Sequence, residues 1–363
     1  MTALNTEPTQ ILLLGAGELG RAVLVSISTL LNTHITLGVR TPSKSTHLRS
    51  PTIELAEIDL TSPSAALVET FSRYHIVISC TGFASSPGSV TKLATEVLEA
   101  GKLRRQRGDG RIWFFPWQWG VDYDVTLDGN GLMPLFGEQK AVRDSLREKA
   151  EESHVKWTVV STGIFMSFLF EPFWGIVDRS KEREGKLTVR CLRDWKHGVT
   201  VTDVADIARA TKRILAGDID AENKVVYVAG DAVRYEELAT IIGRVTGHEV
   251  AREEWDVERL WQELRKDPED GIKKYRLVFA GDGVFWEKDK TMNYRLEMEM
   301  MDVETTPTCR SDHYVAAVGS LFTRFGNAAA FAPVAAVAPL HSLAPPRMLG
   351  ISVSSRLQLG LEK

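Results

Sequence analysis

Short apolar runs alternate with longer amphipathic stretches along the first 160 residues. Buried strands are predicted at residues 10–14, 35–39, 53–58, 74–80, 111–115 and 156–161. Helices are predicted at residues 18–31, 90–100 and 134–152, the second of them ended by Gly101. Because strands that alternate with helices form parallel βαβ units, the pattern predicts an α/β fold, a Rossmann-type doubly wound parallel sheet. Ligands of such sheets bind at the carboxyl ends of the strands.

The alternation loosens after residue 161. Helices are predicted at 203–215 and 235–246 with a strand at 224–228 between them, while 165–177 and 251–302 are irregular and rich in aromatic residues. We therefore predict four segments, which are an N-terminal extension (1–9), a Rossmann domain (10–161), a smaller and less regular α/β substrate-binding region (162–320) and a tail (321–363). Between residues 321 and 361 the tail has no Asp or Glu, and its Ala-Pro segments interrupt both helix and strand, so weak order is expected.

A glycine-rich loop follows the first predicted strand. Its sequence is Gly15-Ala-Gly17-Glu18-Leu19-Gly20, a GxGxxG pattern at the start of a helix. The first glycine allows a tight turn, the second lets a pyrophosphate approach the backbone, and the third lets the helix pack on the strand. The helix N-terminus adds amide donors and a partial positive charge for phosphate. The loop therefore predicts a dinucleotide site.

The end of the second predicted strand indicates which dinucleotide. An acidic residue about 20 positions after the loop would bind the ribose 2′-hydroxyl of NAD, but Arg40 stands there, with Lys44 and Arg49 beyond it. A guanidinium attracts a 2′-phosphate, so we predict NADPH (NADP+) as the cofactor. At the end of the fourth strand, backbone groups of Thr81 and Gly82 are expected to meet the cofactor's ribose and nicotinamide.

Lys140 is the predicted catalytic residue. It lies in the helix after the fifth strand, where short-chain reductases show a similar layout with Tyr-x-x-x-Lys, the tyrosine being the proton donor. Phe136 takes the tyrosine position here and has no hydroxyl, although the spacing still puts Phe136 and Lys140 on one helix face. A lysine beside cofactor and substrate can act as general acid or base. From the residues alone, a solvated helix lysine is an equally good interpretation.

Aromatic residues surround the expected site. Trp117 and Trp119 fall beyond the carboxyl end of the fifth strand, where they would either form a wall for an apolar substrate or belong to the core. Phe168 belongs to an aromatic stretch that would form the opposite wall or simply a packed helix.

Composition narrows the class of protein. The chain has 363 residues, of which 44% are hydrophobic and 25% charged, with a net charge of −4, so no basic field favours nucleic acid. No apolar run approaches the roughly 20 residues that cross a bilayer, and the N-terminus lacks the pattern of a secretory signal. The three cysteines form no CxxC pair and the histidines no HExxH motif, so no metal is expected. We expect a cytoplasmic enzyme, a monomer or homodimer, with a small-molecule substrate and neither nucleic acid nor membrane as partner.

Several of these segments, in order, resemble those of a known family. Residues 15–20, Val39-Arg40, the segment 114–122 (FFPWQWGVD), Lys140 and residues 157–165 are similar to the NmrA-like, isoflavone-reductase-like group of atypical short-chain reductases, which includes phenylcoumaran benzylic ether reductases. The resemblance implies that Arg40 binds phosphate and Lys140 is catalytic. It also implies that the loop after the sixth strand, with Ile164 on the substrate side and Phe165 near the cofactor, lines the site.

Two departures limit what the resemblance implies. The loop is GxGxxG where the family usually has GxxGxxG, so the pyrophosphate contacts are not carried over. Trp117, Gln118 and Trp119 replace the Ser-Glu-Phe of plant members, so plant substrates are not carried over either.

The sequence supports two functions. The first is an NADPH-dependent reductase that transfers hydride to a C=C, C=O, C=N or benzylic ether carbon of a small organic molecule. By analogy with the family, a step in specialised metabolism is expected. The second is an NmrA-like regulatory protein that senses NAD(P) without turnover. The presence of Lys140 favours the first, because regulators of that kind tend to lack the lysine.

Overall fold

Seven parallel strands form the main sheet of the protein. The computed structural model describes residues 7–82, 87–306 and 309, so the predictions for residues 1–6 and for the tail at 321–363 lie outside the described residues. The strands in chain order are β1 Thr9–Leu14, β2 Thr33–Val39, β3 Ile53–Glu57, β4 Ile76–Ser79, β5 Ile112–Phe115, β6 Val155–Ser161, β7 Ile164–Phe165, β8 Val177–Asp178, β9 Lys186–Leu192, β10 Gly198–Thr202, β11 Lys224–Tyr227, β12 Asp231–Arg234 and β13 Glu249–Trp255. The main sheet has the order β11-β6-β5-β4-β1-β2-β3, and each neighbouring pair runs parallel. The Rossmann-type fold class is confirmed.

Helices cover both faces of this sheet. They are α1 Glu18–Ile27, α2 Ser64–Phe71, α3 Ser89–Arg107, α4 Tyr123–Thr126, α5 Pro134–Lys149, α6 Val204–Leu215, α7 Tyr235–Thr246, α8 Val257–Lys266, α9 Gly271–Phe279 and α10 Met292–Arg295. In β1, Leu12 and Leu14 pack towards α2, α3 and α5, whereas Ile11 and Leu13 pack towards α1 and α6. Because both faces of the strand are covered, β1 is an uninterrupted apolar run rather than an alternating one.

Helix α3 is longer than the sequence pattern predicts. Gly101 does not end it; the helix continues to Arg107, and Gly108 in the left-handed conformation (φ 78°) follows as the cap. A Cβ at position 101 would lie 2.2 Å from the carbonyl oxygen of Ser153. Gly101 is therefore needed where α3 crosses closely over the turn before β6, and the prediction took a packing glycine for a helix end.

The chain returns to the main sheet after residue 161. Helix α6 packs against α1, and β11 adds to the sheet as the neighbour of β6. Two three-stranded sheets, β12-β10-β7 and β13-β9-β8, form the second region with α7, α8 and α9 around a core of their own. The segment from residue 162 onwards therefore supplies the second region and also β11, the edge strand of the main sheet next to β6.

Candidate functional site

The glycine loop lies where the carboxyl ends of three strands meet. The amide N–H of Gly15 donates to the carbonyl of Gly38 at the end of β2 (2.9 Å). Gly15 has φ 99°, and a Cβ on it would lie 2.5 Å from the carbonyl oxygen of Cys80, just after β4. A Cβ on Gly20 would lie 2.1 Å from the carbonyl oxygen of Gly15, whereas Gly17 has no atom within 4 Å of that position. The first and third glycines thus close the turn, and the second faces open space.

The residues between the glycines have opposite environments. Leu19 is buried beside Cys80 in the core under the loop, and burial raises the pKa of the Cys80 thiol, so both side chains act as apolar packing groups. Glu18 begins α1 and is partly buried; burial first, and then the charges of Asp203 and Glu171, raise the pKa of its carboxyl. Because a phosphate would be repelled by this carboxylate, the backbone amides of the loop are the groups suited to hold one.

We expect Gly17 and Gly20 to respond differently to substitution by alanine. Gly20→Ala should destabilise the fold by about 1–3 kcal/mol or more, because its methyl group would overlap a backbone carbonyl. Gly17→Ala, the matched control, should unfold at the wild-type temperature but bind NADPH about tenfold or more weakly, because the methyl group occupies the open face. Thermal unfolding and NADPH titration of both variants test this; an equally destabilised Gly17→Ala would contradict it.

Three cations follow β2. Arg40 is exposed and makes no hydrogen bond or ion pair with another described residue. Lys44 and Arg49 are exposed as well, in and just after a short 3-10 helix that begins at Pro42. Asp59 lies beside Arg40 at the end of β3, but its carboxylate accepts the amide N–H of Thr61 (2.9 Å). The guanidinium of Arg40 is therefore available for an anion.

The end of β4 is closed by a tryptophan. The indole N–H of Trp119 donates to the carbonyl of Ser79 (2.8 Å), and its ring is buried in the core with Leu19 and Cys80. Trp117 is only partly buried and packs against the cores on both faces of the sheet. Thr81 lies 3.2 Å from the hydroxyl of Ser79, and Gly82 is left-handed (φ 74°). Of the two tryptophans, Trp117 is the one with surface left to contact a substrate.

Lys140 carries an ion pair on the surface of α5. Its Nζ lies 2.6 Å from both carboxylate oxygens of Asp144, one turn further along, and 3.8 Å from Asp124. The side chain is about one quarter exposed. In this structure the ammonium is held by α5 and α4 rather than by the glycine loop.

Arg143 was not singled out from the sequence, although it is the most deeply buried charge near the site. Its side chain is fully buried and donates to the side chains of Gln118, Asp122, Asp124 and Ser161 and to the carbonyl of Val121. Hydrogen bonds from Arg147 first, and then from Arg143, hold the pKa of Asp124 well below its usual range. This network joins α5 to the segment after β5 and to the end of β6. The only signal in the sequence is its helical spacing from Phe136 and Lys140.

An aromatic cluster lies beyond the network. Phe136 makes edge contacts with Tyr123 (5.1 Å between ring centroids) and Tyr275 (5.8 Å), and Tyr275 also contacts Phe168 and Trp174. Phe168 therefore packs in this cluster together with Tyr275, and its role as a wall for the substrate stays a prediction. The sequence did not single out Tyr123 and Tyr275.

The short strand β7 carries the last two predicted residues. Ile164 is buried in the core of the second region, whereas Phe165 packs against the core beneath the glycine loop. Both pair with β10, so the strand lies between the two regions. The turn from β10 into α6, at Asp203, is structural, because Asp203 caps α6 by accepting the amide N–H of Ala205 (2.8 Å).

Membrane-spanning helices and metal-binding clusters are both absent from the described part of the chain. No helix among these residues is both long and apolar enough to span a membrane. They also contain no group of three His, Cys, Asp or Glu side chains arranged to hold a metal ion.

The fold and glycine loop define a Rossmann-like α/β protein with an added region at the carboxyl edge of its sheet. The chain belongs to the NmrA-like family, whose model matches residues 7–303. An NmrA-like family domain-containing oxidoreductase from Gibberella moniliformis is 34% identical over 305 residues, which cover 80% of this chain and 94% of that protein.

Solved structures share the fold at much lower identity. AtPrR2 with NADP+ and (+)pinoresinol has a TM-score of 0.65 at 16% identity, covering 84% of this chain and 99% of its own. The leucoanthocyanidin reductase–NADPH complex from Vitis vinifera has a TM-score of 0.61 at 15% identity, covering 81% and 97%. An NADPH-dependent quinone oxidoreductase from Escherichia coli, complexed with NADPH, has a TM-score of 0.59 at 18% identity, covering 81% and 97%.

Proposed function

We propose that this protein is an NADPH-dependent reductase of a small organic molecule. The observation that carries the proposal is the open glycine loop with the unpaired Arg40 beside it, at the carboxyl edge of a parallel sheet. The name of the fungal relative, an oxidoreductase, and the NADPH-bound neighbours support it. The cofactor would supply the hydride, while the chain binds and orients both reactants.

We propose that Lys140 transfers a proton to the substrate or stabilises the negative charge that develops on it. Its bond to Asp144 does not prevent this, because an exposed pair four residues apart on a helix contributes only about 0.3–0.5 kcal/mol. The flexible ammonium can therefore exchange Asp144 for an oxygen of the cofactor or substrate at little cost.

The alternative is a dinucleotide sensor without turnover. The ion pair of Lys140 favours this alternative, because pairing with Asp144 and Asp124 would explain the presence of the lysine without a catalytic role. The two functions are separated by NADPH oxidation against a panel of enones, quinones, imines and benzylic ethers. Tight NADPH binding with no oxidation by any acceptor would favour the sensor.

Arg40→Ala should remove most of the preference for NADPH over NADH. One charge-assisted hydrogen bond to a 2′-phosphate contributes about 1.5–3 kcal/mol, or roughly 10- to 150-fold in affinity. Dissociation constants of both cofactors for wild type and variant measure it. Arg73→Ala is the control, because Arg73 is exposed at the end of α2 and pairs only with Glu69. Equal affinities of the wild type for the two cofactors would refute the assignment.

A further inference from the structure

Two tyrosine rings enclose Phe136, the residue at the position where short-chain reductases carry their tyrosine. Tyr123 and Tyr275 each meet it edge-on, at 5.1 Å and 5.8 Å between ring centroids. Tyr123 is almost fully buried and Tyr275 partly so. The hydroxyl missing from position 136 is therefore flanked by two hydroxyl-bearing rings from other elements, α4 and α9.

The hydroxyl of Tyr123 lies at the carboxyl edge of the main sheet. It packs on Gly120, where a Cβ would come within 2.6 Å of the phenol oxygen. The carbonyl of Gly120 accepts the amides of Thr162 and Gly163, which follow β6, so this is the point where the ends of β5 and β6 meet. Trp119, the preceding residue, closes the end of β4. The phenol thus lies at the edge where ligands of parallel sheets bind.

The aromatic cluster contains hydrogen-bond donors without acceptors. Among the described residues, the buried indole N–H of Trp174 has no hydrogen-bond partner. The hydroxyls of Tyr123 and Tyr275 make no hydrogen bond with a described residue either, but they do not belong to the fully buried unpaired atoms, so their oxygens keep some accessible surface. Trp174 contacts Tyr275 at 5.4 Å between ring centroids. The two phenol hydroxyls are therefore free to donate to a ligand, and the indole N–H of Trp174 adds a buried donor beside them.

The two phenols are also electrostatically coupled. Burial raises the pKa of both hydroxyls, and the negative charge that Tyr123 would carry raises the pKa of Tyr275 further. Both stay protonated across the neutral range and keep a proton to donate. Two O–H groups on rings that both border Phe136 suit one oxygen atom with two lone pairs.

We propose that Tyr123 and Tyr275 together donate hydrogen bonds to a carbonyl or phenolic oxygen of the substrate, in place of the hydroxyl absent at Phe136. The proposal rests on the proposed reductase function and names its substrate as a molecule with an oxygen acceptor on an aromatic ring system. The rings around the phenols supply the aromatic wall, and the two O–H groups stabilise negative charge that develops on the oxygen when an adjacent carbon is reduced.

Binding of two matched probes tests the proposal without turnover. The full chain, saturated with NADP+, is dialysed against 9-fluorenone or against fluorene, which has the same ring system without the oxygen. Removing only the two hydroxyls, in Tyr123→Phe/Tyr275→Phe, should raise the dissociation constant of 9-fluorenone about tenfold and leave that of fluorene unchanged. Tyr235→Phe is the control, since Tyr235 is fully buried in the same core and makes no contact with Phe136.

Other outcomes would overturn the proposal. The first is an unchanged dissociation constant of 9-fluorenone in the double variant. The second is an equal loss of affinity for 9-fluorenone and fluorene, which would indicate altered packing. The third is no measurable binding of 9-fluorenone by the wild type.

A turnover assay distinguishes failure of this proposal from failure of the reductase function. With 9,10-phenanthrenequinone as acceptor, kcat/KM should fall about 10- to 100-fold in the double variant. If none of the tested acceptors supports NADPH oxidation by the wild type, the reductase proposal fails. The dialysis result still decides whether the tyrosines bind the oxygen.

Discussion

Lys140→Ala should lower turnover by about 10²–10⁴-fold at saturating NADPH, the usual range for a positioned proton-transfer group. NADPH affinity should change much less, because the glycine loop and Arg40 lie on other elements. Lys140→Arg should not restore turnover, since a guanidinium keeps its charge and cannot give up a proton near neutral pH. The measurement is steady-state kinetics of the three proteins across pH 6–9.

The matched control is Lys149→Ala, at an exposed lysine of the same helix whose carboxylate neighbour lies 3.9 Å away. It should keep wild-type turnover. A Lys140→Ala variant that loses cofactor affinity and recovers turnover at saturating NADPH would show that the lysine only binds the cofactor. If Lys140→Ala keeps full turnover at ordinary NADPH concentrations, the reaction needs no acid from the protein.

Arg143→Met should destabilise the protein by about 3–5 kcal/mol, because the buried oxygens of Gln118 and Ser161 lose their donor and each buried unpaired group costs about 1–3 kcal/mol. At roughly 2–4 °C per kcal/mol for a chain of this order of size, the melting temperature should fall on the order of 10 °C. Thermal and urea unfolding measure the change.

Arg147→Met provides the control from the same helix and the same carboxylate. Arg147 also bonds Asp124, but its side chain is 41% exposed, so its loss should cost less than about 1 kcal/mol. If both variants were destabilised equally, burial of Arg143 would not be the source of its contribution.

Local patterns predicted the elements that are regular over several residues. The predicted strands differ from β1–β6 by at most two residues at either end. The central strands β1 and β4 are covered on both faces and are unbroken apolar runs, which a local pattern identifies readily. The loop at 15–20 could also be predicted, since a tight turn, an open face and a close helix contact each require glycine at a defined spacing. Arg40 was predicted because its position follows from the end of β2.

Contacts between distant elements could not be predicted in this way. Gly101 has the local pattern of a helix end, and only the approach of Ser153, 52 positions away in the chain, makes it a packing residue. Arg143 has the pattern of a surface arginine, and its burial depends on Gln118 and Asp122 from the segment after β5. Trp119 was left undecided between wall and core until Ser79 provided an acceptor for its indole.

The sequence by itself therefore determined the parallel sheet, the glycine loop with the cation beside it, and the lysine of the following helix. Each depends on backbone conformation or on periodicity within one element, which neighbouring residues specify. The tertiary structure alone decided which charge is buried, which tryptophan is covered and that the tyrosines of α4 and α9 enclose Phe136. Those features arise from packing between different elements of the fold, and the free energy of such packing depends on shape and on hydrogen-bond partners that no local pattern contains.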